Sequence, residues 1–172
     1  MTAVGIDGPT VQIGNVETIA RNKGRLISVS YEQRRRDGDQ EQRKREIYDN
    51  GNSAVILPYD ADRQTVLLTR QLRTPVFLQD GRERAVEACA GKLDGENAER
   101  RIINEMHEEL GYKITKVQSL FELYASPAAI MEKIVFFTCT YHRQTRCPTA
   151  VGSRKRGRIS KCWRSPCTKQ LR

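Results

Sequence analysis

Three glutamates near the end of one amphipathic segment are the residues of this sequence best placed to do chemistry together. Glu105, Glu108 and Glu109 have the spacing i, i+3, i+4, which predicts that they share one side of an α-helix. Like charges one turn apart repel, and the dipole disfavours anions at the end of a helix, so we expect a cation to offset them. Carboxylates are typical ligands of Mg²⁺ and Mn²⁺, which usually bind substrate phosphates as well. The alternative is a solvated acidic surface without an ion.

The helix that positions these glutamates is predicted between residues 97 and 110. Its apolar stripe consists of four residues at the helical period, Ile102, Ile103, Met106 and Leu110. We expect the three glutamates to face away from that stripe. Gly111 is expected to end the helix as a C-cap.

Short β-type runs separated by turn signals make up most of the remaining sequence from Gly24 onward. The predicted strands cover residues 26–31, 45–48, 54–58, 65–69, 85–89, 117–124 and 133–141. Turns or loops are expected at residues 37–39, 60–62 and 126–129. This pattern predicts an α/β fold in which a mixed sheet packs against at least one long helix.

The composition suits one globular domain, because the chain has 172 residues, of which 38% are apolar and 30% charged. Its net charge of +9 comes from the tail, residues 142–172, which holds ten Lys and Arg and no Asp or Glu. The first 141 residues carry 20 basic and 21 acidic side chains. No apolar stretch approaches the roughly 20 residues that span a bilayer, and the N-terminus lacks the features of a signal peptide. We therefore expect no membrane partner.

The five cysteines indicate a reducing compartment, because an odd number with three in the tail does not suit a secreted disulfide framework. We expect a cytoplasmic protein in which Cys89 and Cys139, both in apolar runs, are small core residues. His107 is expected to be exposed. Four residues at the end of the chain could suggest zinc, His142, Cys147, Cys162 and Cys167. They lack C-x2-C spacing, which argues against such a site.

The tail is not expected to fold, because its residues follow neither the period of a strand nor that of a helix. One interpretation is a basic arm that contacts the phosphates of RNA or DNA. The tail contains a single aromatic residue, Trp163, and no RNA-binding motif. Nucleic acid is therefore not an expected partner.

The glutamates belong to a longer pattern that resembles the signature of the Nudix hydrolases, G-x5-E-x7-R-E-U-x-E-E-x-G-U, in which U is a bulky aliphatic residue. The matching residues are Gly91, Glu96, Glu105, Glu108, Glu109 and Gly111. Gly91 lies one residue closer to Glu96 than the pattern asks. Asn104 replaces the arginine, and Tyr112 replaces the last aliphatic residue. In this family the arginine normally helps to hold the glutamates in place.

Four further runs, residues 44–51, 70–73, 87–91 and 121–127, are similar to the branch that contains the GDP-mannose and ADP-ribose pyrophosphatases. The resemblance implies an α/β/α sandwich with a mixed sheet, and N-terminal antiparallel strands that exchange between the subunits of a homodimer. Residues 1–50 would form this dimerisation region, 51–141 the catalytic core and 142–172 the tail. The implied reaction is Mg²⁺-dependent hydrolysis of the pyrophosphate of a nucleoside diphosphate sugar, either GDP-mannose, to GMP and mannose 1-phosphate, or ADP-ribose.

The same resemblance implies roles for individual residues. It makes Glu105, Glu109 and the backbone carbonyl of Ala90 ligands of Mg²⁺, with Mn²⁺ as a substitute. Glu108 is a candidate for a second metal, so that the three glutamates form the catalytic set. The residues implied to bind substrate are Lys44, Arg45, Glu46, Arg73, Ala90, Gly91, Lys92 and Glu132. A metal and an arginine would offset the charge that builds when water attacks phosphorus.

Simpler alternatives stay open for several substrate-binding candidates. Lys44 and Arg45 could form an exposed basic strand, and Arg73 could be half of an ordinary ion pair. Glu132 could be a surface charge. For the whole chain, the alternative is a catalytically impaired Nudix-fold protein that binds nucleotides or RNA.

The basic tail differs from what this branch of the family leads us to expect after the last strand, a glycine-rich acidic loop that supplies another glutamate. We hypothesise a shift of the reading frame near Tyr141 or His142. One codon choice that the sequence permits converts residues 152–164 into an acidic segment followed by a strand-like alternation. Such a shift would truncate the fold at its C-terminus and impair the activity.

Overall fold

The computed structural model describes residues 10–142 and the backbone of residues 163–166. The chain divides into two compact units, each described separately below. The N-terminal unit consists of Met1–Gly51 and Tyr124–Glu132, and the central unit of Asn52–Leu123 and Lys133–Arg172. The predicted domain boundaries after residues 50 and 141 stay a prediction.

Three antiparallel strands form the sheet of the N-terminal unit: β1 (Val11–Arg21), β2 (Arg25–Arg34) and β3 (Gln40–Asp49). Strand β2 lies in the middle, and its register sets Ser30 opposite Lys44 and Val29 opposite Arg45. Strand β1 is absent from the predicted strands because all of its residues are exposed. A strand without a buried face needs no apolar alternation, so its sequence carries a weak signal.

The central unit contains a mixed sheet, as predicted. Its strands are β4 (Ser53–Asp60), β5 (Thr65–Gln71), β6 (Ala85–Glu87), β7 (Cys89–Lys92), β8 (Gln118–Tyr124), β9 (Lys133–Thr140) and β10 (Trp163–Pro166). The main path of the sheet is β10-β5-β4-β9-β8, and β6 pairs with β5 while β7 pairs with β4. Strands β4 and β9 are parallel, whereas the β4–β7 and β5–β6 pairs are antiparallel. Most of the predicted strands begin and end within a few residues of the observed ones.

Two helical segments accompany this sheet. Helix α1 (Thr74–Asp80) begins with Pro75 in its first turn and ends at Gly81. It is absent from the sequence prediction because it has only two turns and buries none of its residues, so no apolar stripe marks it. Helix α2 (Ala98–Glu105) continues as one π-helical segment (Met106–Leu110), as described below.

The core of the central unit lies between α2 with its π-helical extension and the sheet. Its buried apolar residues are Ala54, Ile56, Leu67, Cys89, Ile102, Met106, Leu110, Tyr112, Phe137, Cys139 and Tyr141. The rings of Tyr112 and Tyr141 meet edge to face with centroids 5.4 Å apart, and the Tyr141 hydroxyl lies 2.7 Å from the Thr65 hydroxyl. Tyr112 therefore fills the core at the position where the Nudix signature has an aliphatic residue. The expectation that Cys89 and Cys139 are core residues is confirmed.

The prediction of an unfolded tail is wrong for the four residues of β10, which pair with β5 in antiparallel register. Backbone hydrogen bonds to a free sheet edge do not require an alternating pattern of side chains. Residues 143–162 and 167–172 lie outside the described residues, and so do the predictions about zinc and the reading frame that rest on them. Within residues 10–142 and 163–166, no helix is long and apolar enough to cross a membrane.

Candidate active site

The helix that carries the glutamates has a well-defined start and an unusual end. The Asn97 side chain caps α2 by accepting a hydrogen bond of 3.1 Å from the backbone N–H of Arg100. The last five residues, Met106–Leu110, form a π-helical turn, a feature often found at functional sites. Gly111 ends it with φ of 74°, in the left-handed region that favours glycine, so the predicted C-cap is confirmed.

The three glutamates do not share one face, contrary to the prediction. Glu105 and Glu109 are buried, with 3% and 9% of their surface exposed, whereas Glu108 is exposed. Glu105 follows Ile102 by three positions, and residues three apart lie on the same side of an α-helix. Glu109 lies in the π-helical turn, where the α-helical spacing used in the prediction does not hold, and there it is buried together with Met106 and Leu110. The two glutamates therefore border the apolar stripe instead of facing away from it. A solvated acidic surface is excluded for both of them.

Glu105 has two close neighbours. The Nη2 atom of Arg101, one turn earlier on α2, forms an ion pair with Oε1 of Glu105. The second neighbour is Gly91 of β7, where an added Cβ would stand 2.5 Å from Cγ of Glu105 and 2.7 Å from Oε1. Only glycine leaves room for the glutamate, which gives a physical reason for Gly91 in the signature. Arg101 is the cation that offsets this carboxylate within the protein, and the sequence analysis did not find it.

Glu109 lies beside the same strand. The Cys89 thiol is 3.7 Å from Oε2 of Glu109. Burial raises the pKa of the Cys89 thiol well above its ordinary value, and the nearby charges of Glu109 and Glu105 raise it further. Cys89 and Gly91 share the buried face of β7, so both carboxylates lie against the same face of this strand. We call Cys89, Gly91, Arg101, Glu105 and Glu109 the helix-end cluster.

Two other substrate-binding candidates are carried by β7. Residues 89 and 91 are buried and residues 90 and 92 are half-buried, which is the alternation of a strand with two unlike faces. Ala90 and Lys92 therefore share the less buried face. The exposed position of His107, predicted from the sequence, is confirmed.

Arg73 is engaged in an ion pair. Its Nε atom donates to Oε1 of Glu87 at 2.7 Å, and Nε2 of Gln71 donates to the same oxygen at 2.8 Å. The ordinary ion pair weighed in the sequence analysis is therefore present. A phosphate-binding role for Arg73 stays a prediction, and it would use the other N–H groups of a guanidinium whose side chain is 37% exposed.

The remaining candidates belong to the N-terminal unit. Lys44, Arg45 and Glu46 are all exposed on β3, and successive side chains of a strand point to opposite faces. Lys44 lines a cavity of about 520 Å³ with Gln12 and Ser30. The structure therefore separates Arg45 from Lys44 and Glu46.

Arg45 lies on the more apolar face of that sheet, where it lines a cavity of about 560 Å³ together with Val29, Tyr31 and Ile47. Glu132 is half-buried, and its backbone carbonyl accepts a hydrogen bond of 3.0 Å from Ala125. The substrate-contacting role predicted for Glu132 is not tested by this placement.

The donor atoms of the helix-end cluster suit a hard divalent cation. Glu105 and Glu109 supply carboxylate oxygens and β7 supplies backbone carbonyls, which is the chemistry that Mg²⁺ prefers. In the part of the chain that the structure describes, no group of three or more His, Cys, Asp or Glu side chains could hold a metal ion. Two carboxylates are nevertheless sufficient protein ligands for Mg²⁺ when waters and substrate phosphates complete its shell.

The chain is similar to known proteins in both sequence and fold. No family model matches the chain. It is 39% identical over 140 residues to a GDP-mannose pyrophosphatase of Salmonella paratyphi B, a match that covers 80% of this chain and 72% of that protein. It is 37% identical over 146 residues to a GDP-mannose pyrophosphatase of Yersinia pestis, with 83% and 74% covered. A solved structure of an ADP compounds hydrolase superposes with a TM-score of 0.69 at 19% identity, covering 96% of this chain and 83% of that one.

Proposed function

Because this chain belongs to the Nudix hydrolase family and has its α/β fold, as the signature predicted, we propose that it hydrolyses the pyrophosphate bond of a nucleoside diphosphate sugar. The first candidate substrate is GDP-mannose, which would give GMP and mannose 1-phosphate. ADP-ribose is the second. The names of the relatives support this order, since two of them are GDP-mannose pyrophosphatases and the structural neighbour acts on ADP compounds.

The observation that carries the proposal is the burial of two carboxylates against one strand, Glu105 beside Gly91 and Glu109 beside Cys89. Two buried carboxylates and the backbone carbonyls of β7 offer the oxygen ligands that a hard divalent cation prefers. A pyrophosphate substrate carries negative charge itself and therefore needs such a cation to approach these residues.

Mg²⁺ is the proposed cofactor, with Mn²⁺ as a substitute. Glu105, Glu109 and the carbonyl of Ala90 would hold it, and the exposed Glu108 would be available for a second ion. When bound, the ion would offset the charge that builds on the phosphates as water attacks. Arg73, Gly91 and Lys92 would bind and orient the same phosphates. Arg73 could do so while its ion pair with Glu87 is retained.

The nucleotide part of the substrate is proposed to contact β3 and Glu132. Since Lys44 and Glu46 lie on one face of the three-stranded sheet and Arg45 on the other, a nucleotide bound to one face can contact only part of this set. We therefore propose two alternatives, contact with Lys44 and Glu46 or contact with Arg45, which single substitutions can separate.

A homodimer is part of the proposal. Strand β1 exposes four apolar side chains, Val11, Ile13, Val16 and Ile19, to between 42% and 58% of their surface. An exposed apolar strand of this length is typical of a surface covered by a partner. We expect Ile13→Asp with Ile19→Asp to convert a dimer to a monomer in sedimentation velocity, and a monomeric unmodified protein would contradict the proposal.

The cytoplasmic location predicted from the cysteines is retained as a proposal. Cys89 and Cys139 are free thiols in the described part of the chain, which agrees with a reducing compartment. Fractionation of cells that express the protein, with a cytoplasmic and a secreted marker, would test the location.

The reaction is tested by incubating the full chain and Mg²⁺ with GDP-mannose or ADP-ribose and identifying the products by ³¹P NMR. We expect two phosphomonoesters per molecule cleaved, and no cleavage in the presence of excess EDTA. Binding of either nucleotide without turnover would favour the alternative, a catalytically impaired nucleotide binder. Release of inorganic phosphate as the first product would contradict pyrophosphate cleavage.

The hypothesis of a shifted reading frame makes a second comparison possible. A version of the gene repaired after Tyr141 would restore the acidic loop expected in this branch of the family. General-base assistance is worth about 10²- to 10⁴-fold in rate, so we expect the repaired protein to turn over faster by a factor in that range. Equal rates for two forms that both unfold cooperatively would contradict the hypothesis.

A further inference from the structure

Glu105 requires a partner that holds its carboxylate in place. Its side chain is only 4% exposed, and a buried carboxylate is stable only when it is paired and hydrogen-bonded. In the Nudix signature an arginine directly before this glutamate helps to hold the glutamates. This chain has Asn104 there, and Asn104 is exposed. An asparagine carries no charge, so a residue at another position must pair with the Glu105 carboxylate.

Arg101 is the residue that pairs with this carboxylate. It lies four residues before Glu105, one helical turn away, and its Nη2 atom pairs with Oε1. The Arg101 side chain is itself only 14% exposed, so the ion pair is shielded from solvent. Gly91 is a second close neighbour, so both Arg101 and β7 restrict the space open to the Glu105 carboxylate.

Stability alone is a poor explanation for this ion pair. The cost of removing two charges from water often exceeds the attraction between them. In addition, Nε of Arg101 is buried and finds no hydrogen-bond partner among the described residues, which carries a further cost. What the pair does provide is a fixed direction for a carboxylate that would otherwise rotate.

We infer that Arg101 is a positioning residue for Glu105, replacing from the preceding turn the arginine that the signature has at position 104. The inference rests on the proposed function, in which Glu105 holds a divalent cation. Arg101 touches neither cation nor substrate in this assignment. Its effect passes through the orientation of Glu105.

The experiment compares four full-length proteins: the unmodified chain, Arg101→Met, Arg101→Lys and the control Arg100→Ala. Methionine keeps an unbranched, apolar side chain and removes the charge, whereas lysine keeps the charge and loses the forked geometry of the guanidinium. Arg100 is an exposed arginine on the same helix, so Arg100→Ala removes the same charge beside the site. Mn²⁺ affinity is measured by electron paramagnetic resonance without substrate, and kcat and KM are measured with GDP-mannose.

Residues that orient a metal ligand typically contribute 10- to 100-fold to metal affinity or activity. We expect Arg101→Met to weaken Mn²⁺ binding and to lower kcat within about that range, with little change in KM. Arg101→Lys should recover part of both losses. Arg100→Ala should behave as the unmodified chain.

Two results would overturn the inference. If Arg101→Met binds Mn²⁺ as tightly as Arg100→Ala does, or more tightly, then Arg101 competes with the cation instead of preparing its ligand. Equal losses in Arg101→Lys and Arg101→Met, with both proteins melting cooperatively, would also contradict it.

The inference and the proposed function can fail separately. A chain that binds Mn²⁺ and cleaves no nucleotide sugar would refute the function, and the Mn²⁺ affinities would still test Arg101. If the unmodified chain binds no Mn²⁺, the crystal structures of Arg101→Met and Arg101→Lys decide. A Glu105 carboxylate that keeps its place against Gly91 in the methionine variant would overturn the inference, and a displaced one would support it.

Discussion

The helix-end cluster and strand β3 are both rich in charged residues, and the structure treats them in opposite ways. Glu105 and Glu109 are buried against β7, where one carboxylate pairs with Arg101 and the other approaches a thiol. Lys44, Arg45 and Glu46 are exposed on β3. A buried charge must be matched by its surroundings, whereas an exposed charge is satisfied by water. Substitutions in the cluster should therefore change chemistry and stability together, and substitutions on β3 should change binding alone.

The largest effect is expected from Glu109→Gln, which removes a proposed cation ligand. Metal-ion stabilisation of developing charge is worth several kcal/mol, so turnover should fall by about 10³-fold. Mg²⁺ at 100 times its Kd should stabilise the unmodified chain by about 2.7 kcal/mol and raise its Tm by roughly 5–10 °C. Glu109→Gln should abolish that shift. The exposed Glu99→Gln serves as control, and a metal-dependent Tm shift retained by Glu109→Gln would contradict the assignment.

A smaller effect is expected from Gly91→Ala, because the new Cβ would occupy the space of the Glu105 side chain. Displacing Glu105 should lower turnover by about 10- to 100-fold, with about 1–3 kcal/mol of lost stability. Gly38→Ala is the matched control in the N-terminal unit. Its φ of 95° disfavours alanine by about 1–2 kcal/mol, while no atom lies within 4 Å of the added Cβ. Similar activity losses in the two variants would show that the effect of Gly91→Ala is not local.

Lys44→Ala and Arg45→Ala should separate the two faces of β3. A charge-assisted hydrogen bond is worth about 1.5–3 kcal/mol, so the variant that loses a substrate contact should raise KM by about 10-fold or more. The other should leave KM unchanged, because its side chain lies on the opposite face. Both should change the free energy of unfolding by less than about 0.5 kcal/mol. Equal increases in KM for both would contradict binding to a single face.

The smallest effect concerns Cys139 at alkaline pH. Burial raises the pKa of this thiol from 9.0 to about 11. Between these values the unfolded chain has lost the proton that the folded chain retains, so the stabilisation present below pH 9 is lost as the pH rises toward 11. The loss should be on the order of 1 kcal/mol. Urea unfolding at pH 8 and 10.5 should show a smaller decrease for Cys139→Ala, and an identical decrease would contradict this contribution.

Helices and strands with a buried face were predicted well from the sequence. The α2 region from Asn97 to Gly111 and most central strands bury one side, which forces apolar residues into a period that can be recognised. Helix α1 and strand β1 bury no such side and were missed. The prediction of three clustered carboxylates was wrong in its geometry, since Glu105 shares the side of Ile102 on α2 and Glu109 lies in a π-helical turn that α-helical spacing does not describe.

Residue types and their spacing were enough to identify the chemistry that this protein could carry: the glutamates of a Nudix signature, the glycine beside them and a mixed sheet to hold them. Each of these features is recognisable locally, because the signature and the periods of helices and strands constrain residue type and spacing. The packing of α2 against β7 settled which glutamates are buried and set Glu105 against Gly91. The Arg101–Glu105 pair and the separation of Arg45 from Lys44 follow instead from local periodicity, a spacing of four residues on a helix and alternate faces on a strand, and were open to prediction. Contacts between different elements, such as that of Glu105 with Gly91, leave no periodic signal in the sequence.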